Sequence, residues 1–179
     1  SYDIGNAIDG SGLPAGFTTA DLHGTYTTNN HWTTANGAIA AGTAWAEFSF
    51  NELQTVGQFH LWNHRSNGVA SNPYYAVTQF DLVFKDADGA VLASLDDLTA
   101  VGGLGSGAVQ TFAFAPVSGV KTVRLVIDAN STPAGWTGVN YTGVAEVAFA
   151  TTSPVPEPAT ALMALAGLAA LVARRRRAA

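Results

Sequence analysis

Apolar side chains in this chain recur at every second position in short runs, and that period restricts its fold more than any other feature. Phe48 and Phe50 share one face of 44–50, Phe59 and Leu61 one face of 56–62, and Phe80, Leu82 and Phe84 one face of 76–85. Runs at 90–95, 109–115 (Phe112, Phe114), 121–127 (Val123, Leu125, Ile127) and 143–149 (Ala145, Val147, Phe149) continue the pattern. Side chains alternate between faces on an extended chain but recur every 3.6 residues on a helix, so a sustained period of two specifies strands with one buried face. Seven such runs, with room for an eighth near the N-terminus, are separated by turn residues. They predict an all-β fold, an antiparallel jelly-roll sandwich.

If consecutive strands run antiparallel, successive connections fall at opposite ends of the sandwich. The short connections, 51–55, 86–89 and 116–120, then share one end, and the long ones, 10–43, 63–75, 96–108 and 128–142, share the other. Long loops gathered on a rigid scaffold are where binding sites are usually built. These loops hold Trp32, Trp62 and Trp136 together with His31, Asn63, His64, Arg65, Asn67, Tyr74, Tyr75, Asn130 and Tyr141. Aromatic faces beside planar hydrogen-bonding groups suit a sugar, whose C–H face stacks while its hydroxyls need fixed donors and acceptors. The candidate ligand set is Trp62, His64, Arg65, Asn67 and Trp136, with Trp32, Tyr75 and Tyr141 behind them. Arg65 is the only cation in the long loops, suited to sugar hydroxyls or a uronic acid carboxylate, or alternatively to a salt bridge with Asp128. A large loop cap also needs aromatics simply to pack itself, and that alternative stays open.

Charge and motif content exclude several function classes. Four of the eight cations are Arg174 to Arg177 and twelve of the thirteen acids precede Ser153, so the remainder of the chain carries −8. That balance offers no footprint for nucleic acid and makes anionic lipid a poor partner. Without Cys there is neither disulfide nor thiolate chemistry. No nucleophile elbow, zinc-protease helix or phosphate loop is present. Asp96 and Asp97 are adjacent on an extended chain and point opposite ways, which does not make the facing pair of acids that glycoside hydrolysis uses. Asp86-Ala87-Asp88-Gly89 reads as a hairpin turn and His60 as a strand residue facing solvent. The expectation is a protein that is not an enzyme.

The C-terminal stretch reads as an address. Residues 159–173 are uncharged and rich in Ala and Leu; as a helix they extend roughly 22 Å, against about 30 Å for a bilayer core. Arg174, Arg175, Arg176 and Arg177 follow directly, a run that holds a segment end in the cytoplasm. Val155, Pro156, Glu157 and Pro158 precede the helix. This sequence of motif, apolar helix and arginine cluster resembles the PEP-CTERM sorting signal of Gram-negative bacteria. The resemblance implies transient residence in the inner membrane, processing by an exosortase, and delivery to the cell surface or extracellular matrix of a bacterium that makes exopolysaccharide. The expected organisation is a domain at 1–150, a linker at 151–158, a transmembrane sorting helix at 159–173 and a cytoplasmic end at 174–179. An export signal ahead of Ser1 is expected with it.

The domain itself resembles the discoidin-type, galactose-binding-like family, which includes coagulation-factor C-type domains and many carbohydrate-binding modules. The likeness rests on Ala7-Ile8-Asp9-Gly10-Ser11 at the opening, Trp45-Ala46-Glu47-Phe48-Ser49-Phe50 as a first core strand, and 56–65 as a strand ending in an Arg loop. Lys121-Thr122-Val123-Arg124-Leu125 and the closing Gly143-Val144-Ala145-Glu146-Val147 complete it. The resemblance implies a structural calcium ion (Ca2+) held by Asp9 and Glu146, by oxygens around Asn6 and Ser11, and by a main-chain carbonyl near Ala145. A hard cation of this kind takes several oxygens, carboxylates among them. The functional expectation is a non-catalytic glycan-binding module that meets extracellular polysaccharide, with a structural surface or biofilm protein lacking a small-molecule ligand as the alternative.

Overall fold

A computed structural model describes residues 3–65, 74–102 and 107–152. A 3-10 turn at Ile4–Ala7, capped by Asp3, is followed by six strands. They are β1 (Trp32–Thr33), β2 (Trp45–Asn63), β3 (Val77–Lys85), β4 (Val91–Thr99), β5 (Val109–Asn130) and β6 (Gly143–Thr152). All pair antiparallel in the order β1-β6-β2-β5-β3-β4. The fold is all-β and antiparallel, as the alternation predicts.

Two long strands turn this one sheet into two layers. The first part of β2, Trp45–Ser49, pairs with Val126–Thr122 of β5, and its last part, Gln58–Trp62, pairs with Ala113–Val109. Register shifts between Ser49 and Gln58 mark where the ribbon folds over, and Gly119 lies in the matching part of β5 with φ 78°, a value that Cβ-bearing residues rarely adopt. The runs expected as four strands are therefore two, because 51–55 and 116–120 are bulged strand rather than loops. The layers meet through Phe80 of β3 and Phe112 of β5, with ring centroids 5.1 Å apart, and through Phe59 of β2, 5.6 Å from Phe80 and 5.4 Å from Phe149. Phe59, Phe80, Phe84, Leu61, Leu82 and Leu125 are fully buried.

Smaller expectations were also revised. The eighth strand exists as the two-residue β1. Asp96 and Asp97, assigned from sequence to a loop, lie in a bulge of β4, where Asp97 has φ 59°. His60 is buried rather than solvent-facing, because β5 and β6 flank it and its Nδ1 lies 2.9 Å from the Thr111 hydroxyl. The 86–89 hairpin stands, with the Asp86 carboxylate accepting the backbone N–H groups of Asp88 and Ala90.

Folding the ribbon over brings both ends of β2 and of β5 to one end of the molecule, where the long connections converge. The Asn63 amide ties two of them: its Oδ1 accepts from the Val77 N–H at 2.8 Å and its Nδ2 donates to the carbonyls of Val77 and Val101. Ser131 N–H donates to the Ala76 carbonyl, Gly143 N–H to that of Tyr75, and Gly37 N–H to that of Asn140.

Candidate functional site

This loop end is divided between a buried polar cluster and a partly exposed aromatic row. In the cluster, the imidazoles of His23, His31 and His64 are buried together, with His31 centred 4.9 Å from His23 and 5.0 Å from His64. Tyr26 packs on His31 and His64. His31 Nδ1 lies 2.8 Å from Asn30 Oδ1, and its Nε2 accepts the Arg65 backbone N–H at 3.3 Å. His23 Nδ1 lies 3.0 Å from the Gly24 carbonyl. Burial pushes all three below the usual histidine range, His64 to about 4 and His31 to about 2, the latter also through the neighbouring His64 and His23. The cluster is thus neutral, and it fastens the lead-in loop to the end of β2.

Several residues expected to touch a ligand belong to this packing. Trp62 is 1% exposed, donates its indole N–H to the Asp21 carbonyl at 3.0 Å and meets Phe17 edge-on. Trp32 is buried in β1 opposite Val144. His64 is buried in the cluster. Arg65 donates from Nη1 to the His23 carbonyl at 3.0 Å, while Asp128, its alternative partner, is surrounded instead by Asp81 and Asp97. Asn67 lies outside the described residues.

The row starts at Trp136, which is 45% exposed, and continues through half-buried tyrosines. Tyr74 is centred 4.9 Å from it, Tyr75 6.3 Å from Tyr74, and Tyr141 5.8 Å from Tyr75. Trp136 is held in place despite its exposure. Its indole N–H donates to the Val139 carbonyl at 3.0 Å. It also lies so closely over Gly138 that a Cβ there would stand 2.7–2.8 Å from the ring atoms Cε2, Cζ2 and Nε1. Tyr75 has φ 74°, a left-handed conformation that costs a non-glycine residue about 1–3 kcal/mol and recurs at functional sites. Its carbonyl accepts from Gly143 N–H and the Thr142 hydroxyl. Behind the row, Asn130 Nδ2 donates to Asn140 Oδ1 and the Tyr141 carbonyl, and the Asn140 N–H donates to Asn36 Oδ1 at 2.6 Å. Sequence reasoning placed these aromatics at one end but did not find the histidine cluster, the Asn36 brace or the Gly138 seat, because each joins residues that no local pattern relates.

The residues expected around calcium lie where the opening loop meets β6. Glu146 is buried, and its Oε2 accepts the Gly10 N–H at 2.9 Å. Burial, with the Asp9 carboxylate adding to it, raises its pKa to about 8 against the Gly10 hydrogen bond. Asp9 Oδ1 accepts the Ser11 N–H at 2.7 Å, and the Ser11 hydroxyl is buried without a hydrogen-bond partner. Asn6 donates from Nδ2 to the His31 carbonyl. Ala145 is the extra residue at a register shift, since Trp62 pairs with Glu146 and Asn63 with Val144. Among the described residues no three His, Cys, Asp or Glu side chains converge as a metal site. An ion here would therefore draw on hydroxyl and carbonyl oxygens beside the two carboxylates.

Comparison with known proteins adds an address and a fold. Residues 154–177 match the family model of the PEP-CTERM protein-sorting motif; the sorting residues Val155 to Pro158 and Arg174 to Arg177 lie outside the described residues. No curated protein sequence matches the chain. Among solved structures, a fucose binding module of Streptococcus pneumoniae aligns with TM-score 0.53 at 15% identity, over 83% of this chain and 82% of that one. A truncated AlyQ with CBM32 and alginate lyase domains aligns with TM-score 0.51 at 15% identity, over 85% of this chain and 30% of that one. The F5/8 type C domain of a Bacteroides fragilis protein aligns at 18% identity over 70% of this chain and 74% of that one, with TM-score 0.46. The chain carries a PEP-CTERM protein-sorting motif on an all-β domain whose fold is galactose-binding-like.

Proposed function

We propose that this is an exported bacterial protein that binds glycan at the cell surface or in the extracellular matrix without transforming it, after an exosortase has processed its tail. The observation that carries the reading is Trp136. A large apolar ring half-exposed at the loop end, yet fixed by Val139, Gly138 and Tyr74, is a preorganised stacking surface. Tyr74, Tyr75 and Tyr141 extend it and add phenolic hydroxyls, while Trp62, Trp32, His64 and Arg65 hold the loops from beneath. The sorting motif and the fold shared with a fucose binding module support the same setting. Affinity electrophoresis of the full chain in detergent against a broad polysaccharide panel tests it. Retention by at least one polymer, lost in Trp136→Ala with an unchanged melting temperature, is expected. Absence of retention throughout would favour a structural surface protein whose loop aromatics only pack.

Calcium is the proposed structural ion, and the residues fit it. A buried carboxylate beside a second one, with a buried hydroxyl lacking a partner and a bulged main chain alongside, is a donor set suited to a hard cation. Asp9, Glu146, Ser11 and the carbonyl near Ala145 would hold it, with Asn6 tying the same loop to His31. The bound ion would supply positive charge that lets Glu146 ionise in place. It would thereby fix the opening loop against β6.

A further inference from the structure

We infer that the glycan taken by this site is uncharged, held through sugar C–H faces on Trp136 and its neighbouring tyrosines rather than through carboxylates or sulfates. The inference rests on the glycan-binding reading and sharpens it. An anionic sugar bound at fixed position needs a cation or convergent N–H donors. The domain has four cations, and all are placed. Lys85 and Arg124 both bind Glu47 on the outer face of the sheet, at 2.7 and 2.9 Å. Lys121 donates to the Asn51 carbonyl at the opposite end of the molecule. Arg65 sits on the histidine side, with Nη1 on the His23 carbonyl. None of these contacts lies in the row that runs from Trp136 to Tyr141.

The described segments around that row repeat the message. Residues 34–44, 74–76 and 131–142 contain no Asp, Glu, Lys, Arg or His. The indole N–H of Trp136, the donor an anion would recruit first, is already given to Val139. What remains exposed is π surface, and behind it amides and phenols, groups that pair with hydroxyls. The domain's net charge of −8 acts in the same direction, repelling a polyanion before contact.

The test runs the full chain in detergent on affinity gels containing galactomannan or xyloglucan, both neutral, and on gels containing alginate or polygalacturonate, both acidic, at low and high salt. The expected result is retention on a neutral polymer alone, unaffected by salt, since screening weakens only charge–charge contacts. Gly138→Ala, which displaces the indole without removing it, should weaken that retention about tenfold while the melting temperature holds. Salt-sensitive retention on the acidic gels would overturn this inference and leave glycan binding standing. Undiminished neutral binding in Gly138→Ala would overturn the role given to the seated indole. No retention on any gel would overturn the glycan reading, and this inference with it.

Discussion

The titratable residues buried in this protein give its stability two opposing dependences on pH. His31 and His64 stay neutral inside the fold, held to about 2 and about 4 by burial, whereas in an unfolded chain each takes a proton near pH 6.5. Their contribution is complete above about 6.5 and is lost as pH falls below that, toward 4 for His64 and toward 2 for His31, because the unfolded state then binds more protons. Among the described residues the only carboxylate acting on these imidazoles is Asp9, which acts on His23; Tyr26, Tyr75, Asn30 and Arg65 also face them. Glu146 acts in reverse. Burial raises it to about 8 from an ordinary 4.5, so its contribution is present below about 4.5 and is lost as pH rises through 8. Thermal melts across pH should show a maximum between the two limbs when divalent cations are chelated. Glu146→Gln should flatten the alkaline limb and spare the acid one, and calcium should flatten it in the parent protein but not in Asp9→Ala. An alkaline limb unchanged in Glu146→Gln would remove this carboxyl from the account. Glu146 was legible in the sequence as a carboxyl within an apolar strand, but the histidine cluster was not, because His64 reaches His31 only once the ribbon has folded over.

The elements owe their form to β2 and β5, which are long enough to serve both layers. Sequence alternation located the buried faces correctly, since Phe59, Leu61, Phe80, Leu82 and Phe84 are all fully buried. It misjudged continuity, because a bulge and a turn both interrupt a period of two, and only hydrogen-bond register tells them apart. The loop end was legible from strand parity alone, whereas the division between packing and exposed aromatics was not: Trp62 and Trp136 have the same chemistry in sequence, and burial separates them. Phe59 is where the layers depend on each other most, touching Phe80, Phe112 and Phe149. Phe59→Ala should cost about 3–5 kcal/mol in denaturant unfolding. Val91→Ala, at an exposed edge position, should stay within about 0.5 kcal/mol. Equal effects would mean that the aromatic contact between layers is not what holds the sandwich.

At the scale of the molecule, β6 links the two ends. It begins at Gly143 beside the loop end and finishes at Thr152, opposite Thr55, where the ribbon turns over. Thr152, the last described residue, therefore lies at the end away from Trp136. On the proposal that the tail is a sorting helix separate from the domain, deleting Ala159 to Ala179 should leave the melting temperature unchanged and alter only where the protein goes. A large loss of stability would place the helix in the core. The central claim, that a sugar stacks on Trp136, is tested most directly at the indoles themselves. The chain has four tryptophans: Trp32 and Trp62 are buried, and Trp45, exposed on the outer sheet face, lies against Arg124 with 4.5 Å from the guanidinium carbon to the ring centre. In proton–nitrogen correlation spectra of the full chain in detergent, titration with an oligosaccharide of the retained neutral polymer should shift the Trp136 indole signal and leave that of Trp45 in place. A shift at Trp45 with Trp136 unmoved would contradict the account.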